Sequence, residues 1–145
     1  MPGLYGIVDR ALDLQEAVRA VAGPDRGGLA AFVGTVRDHH DGRRVRSLEY
    51  QAYAEMAETV LRDIGREVTE RFGTPHVAIL HRVGRLAIGE VSVVVVVAAA
   101  HRREALAACA HAIERVKAIA PIWKKENYAE GSAWIEGAGS TPASG

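Results

Sequence analysis

The sequence has a single cysteine in 145 residues, so no disulfide can form within the chain. It also lacks a surplus of either charge: 18 lysines and arginines meet 18 aspartates and glutamates, and the pI is about 7.0. A protein that grips polyanions ordinarily carries a basic domain or stripe, so nucleic acid is not an expected partner. No apolar run approaches the ~20 residues that a membrane-spanning helix needs. No apolar segment is flanked like a signal peptide, and the expectation is a cytoplasmic protein. Internal repeats are missing as well. His39-His40 is the one pairing that suggests a metal, but no third ligand stands at a recognisable spacing, so no metal and no bound cofactor are expected.

What is present supports one domain over residues 1–136, since a chain of this size buries roughly 68–70% of its unfolded surface. The run Val91 to Ala100 is rich in β-branched residues and bounded by Gly89-Glu90 and His101, which predicts a strand buried on both faces at the centre of a sheet. Asp13 with Glu16 three residues later predicts a capped helix carrying Leu14, Val18 and Val21, stopped at Gly23-Pro24. Leu29 to Val36, Val45 to Tyr50 and His76 to Val83 read as strands, with a turn around Gly84 and Gly89 before the valine strand. Arg37 to Arg44 reads as a charged loop free to move. Met56, Val60, Leu61, Ile64, Val68 and Phe72 recur at helical spacing before Gly73. A second helical face, Leu106, Cys109, Ala110, Ile113 and Val116, ends near Pro121, and short strands follow at Ile122 to Tyr128 and Ala133 to Ile135. Residues 137–145 form a low-complexity tail expected to be flexible.

Charge is focused rather than global. Residues 101–125 hold Arg102, Arg103, Arg115, Lys117, Lys124 and Lys125 against only Glu104 and Glu114, a pattern suited to a small, compact anion.

Several segments in order carry a family likeness: Phe32-Val33-Gly34-Thr35-Val36-Arg37-Asp38, Leu48-Glu49-Tyr50, His81-Arg82-Val83-Gly84, Ala100-His101-Arg102, Lys117, and Ala120-Pro121-Ile122-Trp123-Lys124-Lys125-Glu126. Over residues 10 to 136 the chain resembles the molybdopterin synthase catalytic (large) subunit family. The resemblance implies an α+β protein, an α/β hammerhead-type fold with an added antiparallel β subdomain. It also implies a homodimer that binds two copies of a small ubiquitin-like sulfur-carrier subunit, giving a heterotetramer. The implied reaction is sulfur transfer from the carrier's C-terminal Gly-Gly thiocarboxylate to cyclic pyranopterin monophosphate, which yields molybdopterin.

That chemistry brings two anions together, the thiocarboxylate and the phosphate-bearing acceptor. Like unit charges ~4 Å apart cost about 4 kcal/mol at an effective dielectric of 20. Cations must offset this, and a lysine suits the donor end because it is compact and can yield a proton when desolvated. The resemblance assigns Lys117 and Lys124 as catalytic. Strand alternation places Lys124 and Lys125 on opposite faces, so only one of them can share a pocket with Lys117. Arg37, His101 and Arg102 are the implied contacts to the phosphate and pterin, and Phe32 and Ile113 the apolar lining. Each residue has a plainer role open to it. Lys117 complements a helix dipole, Lys124 guards an edge strand, Arg37 pairs with Asp38 or Asp41, His101 caps a helix, and Phe32 and Ile113 fill the core. Cys109 reads as an inert core thiol.

One feature departs from the family pattern. Many relatives carry a basic residue just after the final Trp-Ile/Val-Glu segment, whereas Trp134-Ile135-Glu136 is followed here by Gly137-Ala138-Gly139. A rival reading of the charge focus is a non-catalytic module that binds a ubiquitin-like partner or a phosphorylated metabolite.

Overall fold

A computed structural model describes residues 3–129 and 131–135 of the chain; the expected tail at 137–145 lies outside the described residues. The elements run β1 (Leu4–Val8), α1 (Leu14–Val21), β2 (Gly28–Thr35), β3 (His39–His40), β4 (Arg43–Ala52), α2 (Ala54–Phe72), β5 (Val77–Arg82), β6 (Gly84–Ala87), β7 (Val91–Ala99), α3 (Arg102–Ile119), β8 (Ile122–Tyr128) and β9 (Gly131–Ile135).

The valine strand organises the first sheet, whose order is β1-β5-β7-β2. Side chains alternate across a strand, so β7 feeds two cores. Val94, Val96 and Ala98 pack with Ala17 and Val21 of α1, while Val93, Val95 and Val97 face the helices α2 and α3 and the second sheet. With β5 antiparallel on one side and β2 antiparallel on the other, β7 is central, as its composition predicts. The second sheet is antiparallel throughout. It joins β3, β4, β8 and β9, with β6 also on β4, and corresponds to the added subdomain.

Local signals account for the element ends. The Asp13 carboxylate accepts the Gln15 amide at 2.9 Å, while Glu16 turns away to Arg10 instead of closing a capping box. Gly73 takes a left-handed φ of 75° and its N–H reaches the Thr69 carbonyl, which terminates α2. Ala120, ahead of Pro121, is extended and ends α3.

Three expectations need correction. Residues 37–44 are not simply a loop: His40 pairs with Arg43 around Asp41-Gly42, both at positive φ (51° and 78°), the signature of a two-residue type I′ hairpin. Gly84 to Gly89 contains the strand β6 as well as a turn. The buried face of α3 is Ala105, Ala108, Cys109, Ala112 and Val116, whereas Leu106 is 61% exposed and Ala110 is also outside. Small residues, not the large one, set how closely this helix approaches the sheet. No described helix is long and apolar enough to cross a membrane.

His81 on β5 is the buried titratable group with the largest consequence for the fold. Its ring meets Tyr50 edge-on at 4.9 Å, and its Nδ1 lies 2.9 Å from the Arg82 carbonyl, to which it donates. Burial drives its pKa from 6.5 to about 4, opposed by that hydrogen bond and assisted by nearby Lys117. The unfolded chain therefore takes up this proton first, and the stability this group contributes is full above about pH 6.5 and is lost as pH falls toward about 4. Urea unfolding at pH 7 and pH 5 checks this: roughly 2 kcal/mol of the wild-type loss should disappear in His81→Gln.

Candidate active site

A cleft of about 300 Å³ opens at the seam between the two sheets, lined by Phe32, Val33, Gly34, Thr35, Arg37, His39, Leu48, Tyr50, Ser92, Lys117, Lys124 and Glu126. Three elements deliver its cations. Lys117 comes from the last turn of α3, Lys124 from β8 opposite Tyr50 of β4, and Arg37 from the segment that leaves β2. Strand alternation sorts the lysine pair as expected. Lys124 faces the cleft, whereas Lys125 stands over the Trp134 ring at 5.7 Å.

Among the described residues, no carboxylate lies within 4 Å of the charged groups of Lys117, Lys124 or Arg37. Partial burial lowers the Lys117 pKa from its ordinary 10.5, and the Lys124 charge lowers it further. Lys117 nevertheless keeps an opening to solvent. An anion entering the cleft would relieve this repulsion. The one carboxylate on the wall, Glu126, is buried and already engaged: His40 Nδ1 lies 2.9 and 3.0 Å from its two oxygens, and the Tyr128 hydroxyl donates to it.

Behind the cations stands a polar layer. Burial raises the Tyr50 phenol above its ordinary value; a hydrogen bond with Ser92 opposes this and the Glu126 charge adds to it. Ser92 donates to the Gly34 carbonyl at 3.3 Å. Gly34 sits where the β2 register shifts, and a Cβ there would lie 2.7 Å from a Val93 methyl and 3.3 Å from the Phe32 ring. A side chain at 34 would push into the cleft wall.

Phe32, Arg37, Lys117 and Lys124 thus converge, while the other expected residues do not join them. His101 caps α3 without a side-chain hydrogen bond and Arg102 opens that helix; both are exposed. At 1.5 Å per residue they lie about 22 Å along the helix from Lys117. His101 instead borders a second cleft of about 360 Å³ with Asp25, Arg26, Phe72, His76 and Glu104. Ile113 packs against the main core and does not line the first cleft. Cys109 is buried, with its thiol 3.7 Å from the Val95 carbonyl, and burial pushes its pKa up, opposed by a contact with the Phe32 backbone. It is inert. Sequence reasoning missed His39, Tyr50, Ser92 and Glu126. Of these, Glu126 carries a signal, since its spacing of two from Lys124 puts both on one strand face. Among the described residues, no three His, Cys, Asp or Glu side chains group as metal ligands do.

Known proteins resemble this chain in sequence and in fold. The family model described as MoaE protein matches residues 7–119. The molybdopterin synthase catalytic subunit of Halalkalibacterium halodurans is 42% identical over 131 residues, covering 90% of this chain and 84% of the relative. The human molybdopterin synthase catalytic subunit is 41% identical over 123 residues, covering 85% of this chain and 65% of its own length. Among solved structures, molybdopterin synthase from Staphylococcus aureus superimposes with a TM-score of 0.87 at 38% identity, covering 90% of this chain and 95% of that one. A chain from the complex of subunits 1 and 2 of the Helicobacter pylori molybdopterin-converting factor shares the fold at 24% identity, with a TM-score of 0.72 and coverage of 94% and 91%. With a family model spanning most of the sequence and relatives matched over most of their length, the chain belongs to the MoaE family.

Proposed function

We propose that this chain is the sulfurtransferase subunit of a molybdopterin synthase, converting cyclic pyranopterin monophosphate to molybdopterin in the cytoplasm. The observation that carries this reading is the trio Lys117, Lys124 and Arg37 gathered in one cleft, with none of the three ion-paired to a carboxylate among the described residues. Such a site gains most when two anions occupy it together. The Helicobacter pylori chain of like fold is known in complex with a second subunit. A small ubiquitin-like carrier is the corresponding partner here, its Gly-Gly thiocarboxylate entering between Lys117 and Lys124.

The carrier's sulfur bonds to a pterin side-chain carbon as that carbon's bond to oxygen breaks, the oxygen departing on the phosphate or, with protons, as water, and the product is an acyl link, carrier–C(=O)–S–substrate. Water opens that thioester to a carboxylate and a substrate thiol, and a second loaded carrier repeats the step. Arg37 presents its planar fork to the phosphate. Lys117 and Lys124 hold the thiocarboxylate by charge, each as a compact ammonium. Phe32 supplies an apolar wall beside the pterin, and Ile113 acts through the packing beneath. A homodimer is proposed as well, and it gives His101 and Arg102 a route to the substrate. Being about 22 Å from Lys117 in one chain, they reach the same phosphate only from a second copy.

Three experiments test these assignments. Lys117→Ala and Lys124→Ala should fold normally yet lose about a hundredfold or more in dithiolene formation, assayed with thiocarboxylated carrier and the cyclic precursor. Lys125→Ala should keep most activity, and full activity in both lysine variants would refute the site. Calorimetry on Arg37→Ala should find precursor binding weakened by about 1.5–3 kcal/mol with carrier binding intact. Equal loss toward both partners would put Arg37 on the wrong ligand. Finally, Lys117→Ala and Arg102→Ala proteins, each impaired alone, should recover activity when mixed and re-associated, because a mixed dimer then rebuilds one complete site. No recovery would leave Arg102 outside the site.

A further inference from the structure

The proposed reaction needs a base that the three cations do not provide. Hydrolysis of the acyl link converts carrier–C(=O)–S–substrate and water into carrier–COO⁻, substrate–SH and one proton. The bond from water oxygen to the acyl carbon forms, the carbon–sulfur bond breaks, and the thiolate leaves with one of the water protons. The other must be taken from the attacking water as the bond forms.

The ionisable groups on the cleft wall can be compared in turn. Arg37 does not give up its proton in a protein. Tyr50 is a buried phenol whose burial favours the neutral form. Glu126 is committed to His40 and Tyr128. Lys117 and Lys124 serve as cations while the anions are bound. His39 is left, and it is built differently from the rest. Its Nδ1 lies 2.8 Å from Asp38 Oδ1. A carboxylate can only accept, so the neutral ring carries its hydrogen on Nδ1 and keeps the Nε2 lone pair bare.

The backbone holds this dyad in place. The Val45 amide donates to the Asp38 carbonyl at 2.7 Å, the Asp41-Gly42 turn closes the hairpin, and His40 ties the same hairpin to Glu126. The ring is 68% exposed, so water reaches it directly. The charged groups around it are Asp38 beside it, Arg44 opposite it on β4, Arg37 two residues earlier, and Lys117, Lys124 and Glu126 along the cleft wall.

We propose that His39 is the general base that removes a proton from the water hydrolysing the carrier–substrate thioester, with Asp38 as the positioning residue that fixes its tautomer. The inference rests on the sulfurtransferase reading above.

The test uses the full chain with thiocarboxylated carrier and cyclic pyranopterin monophosphate, quenched on a millisecond-to-minute scale and read by intact mass and by dithiolene yield. His39→Gln should lower product formation about a hundredfold and accumulate the covalent carrier–substrate adduct, with carrier binding unchanged by calorimetry. Added imidazole should restore turnover in His39→Gly, a recovery that a purely structural role would not give, and Asp38→Asn should fall between wild type and His39→Gln. Wild-type turnover in His39→Gln, slowing without adduct, or failure of imidazole rescue would each overturn the assignment. Absence of product from the wild-type protein would instead refute the sulfurtransferase reading, and this base with it.

Discussion

The repulsion between Lys117 and Lys124 is the constraint to which the rest of the structure answers. Two ammonium groups and a guanidinium stay together only if the backbone elements bearing them are fixed by other forces. Here those forces come from apolar burial on both faces of β7 and from the ladder joining β4 to β8. The core thus supplies the free energy that holds like charges in one place, and the anionic ligands recover part of it on binding. Burial first and the Lys124 charge second both lower the Lys117 pKa, in keeping with that cost.

Around the cations the fold graduates from apolar to polar in a short distance. Val93 and Val95 sit fully buried, Ser92 and Tyr50 form a hydrogen-bonded layer, and Glu126 closes the wall with its carboxylate oxygens held by His40 and Tyr128. Had Glu126 been free, it would have paired with Lys124 two positions away on the same strand face and cancelled the field that draws an anion. The hairpin at 39–44 therefore does two jobs. One of its histidines occupies Glu126, while its neighbour reaches the cleft.

Much of the scaffold was legible because it depends on local chemistry. Gly73 stops α2, Pro121 stops α3, and an unbroken β-branched run can only be a doubly buried strand. The separation of Lys124 from Lys125 follows from strand periodicity alone. What stayed hidden depends on partners distant in sequence. β6 is four residues of no marked composition that become a strand because β4 offers a free edge. His40 reads as a solvated loop residue until β8 brings Glu126 beneath it. The distance between Arg102 and Lys117 was implicit in the predicted helix, whose two ends cannot meet at one small ligand within a single chain. The Asp-Gly turn was readable in principle; the surrounding charges masked it.

The alanine face of α3 carries a last consequence. Ala105, Ala108 and Ala112 have almost no accessible surface, and only Cys109 and Val116 on that buried face are larger. The helix consequently rides low on β7 and β2, and its final turn, with Lys117, is aimed by a contact that runs its whole length. Interiors packed at crystal-like density do not absorb added methylenes without backbone shifts. A heavier side chain anywhere along this row would tilt the helix like a shimmed beam and swing its far end out of register. Tolerance in this protein is thus governed by volume well away from the chemistry, at positions that carry neither charge nor any reactive atom.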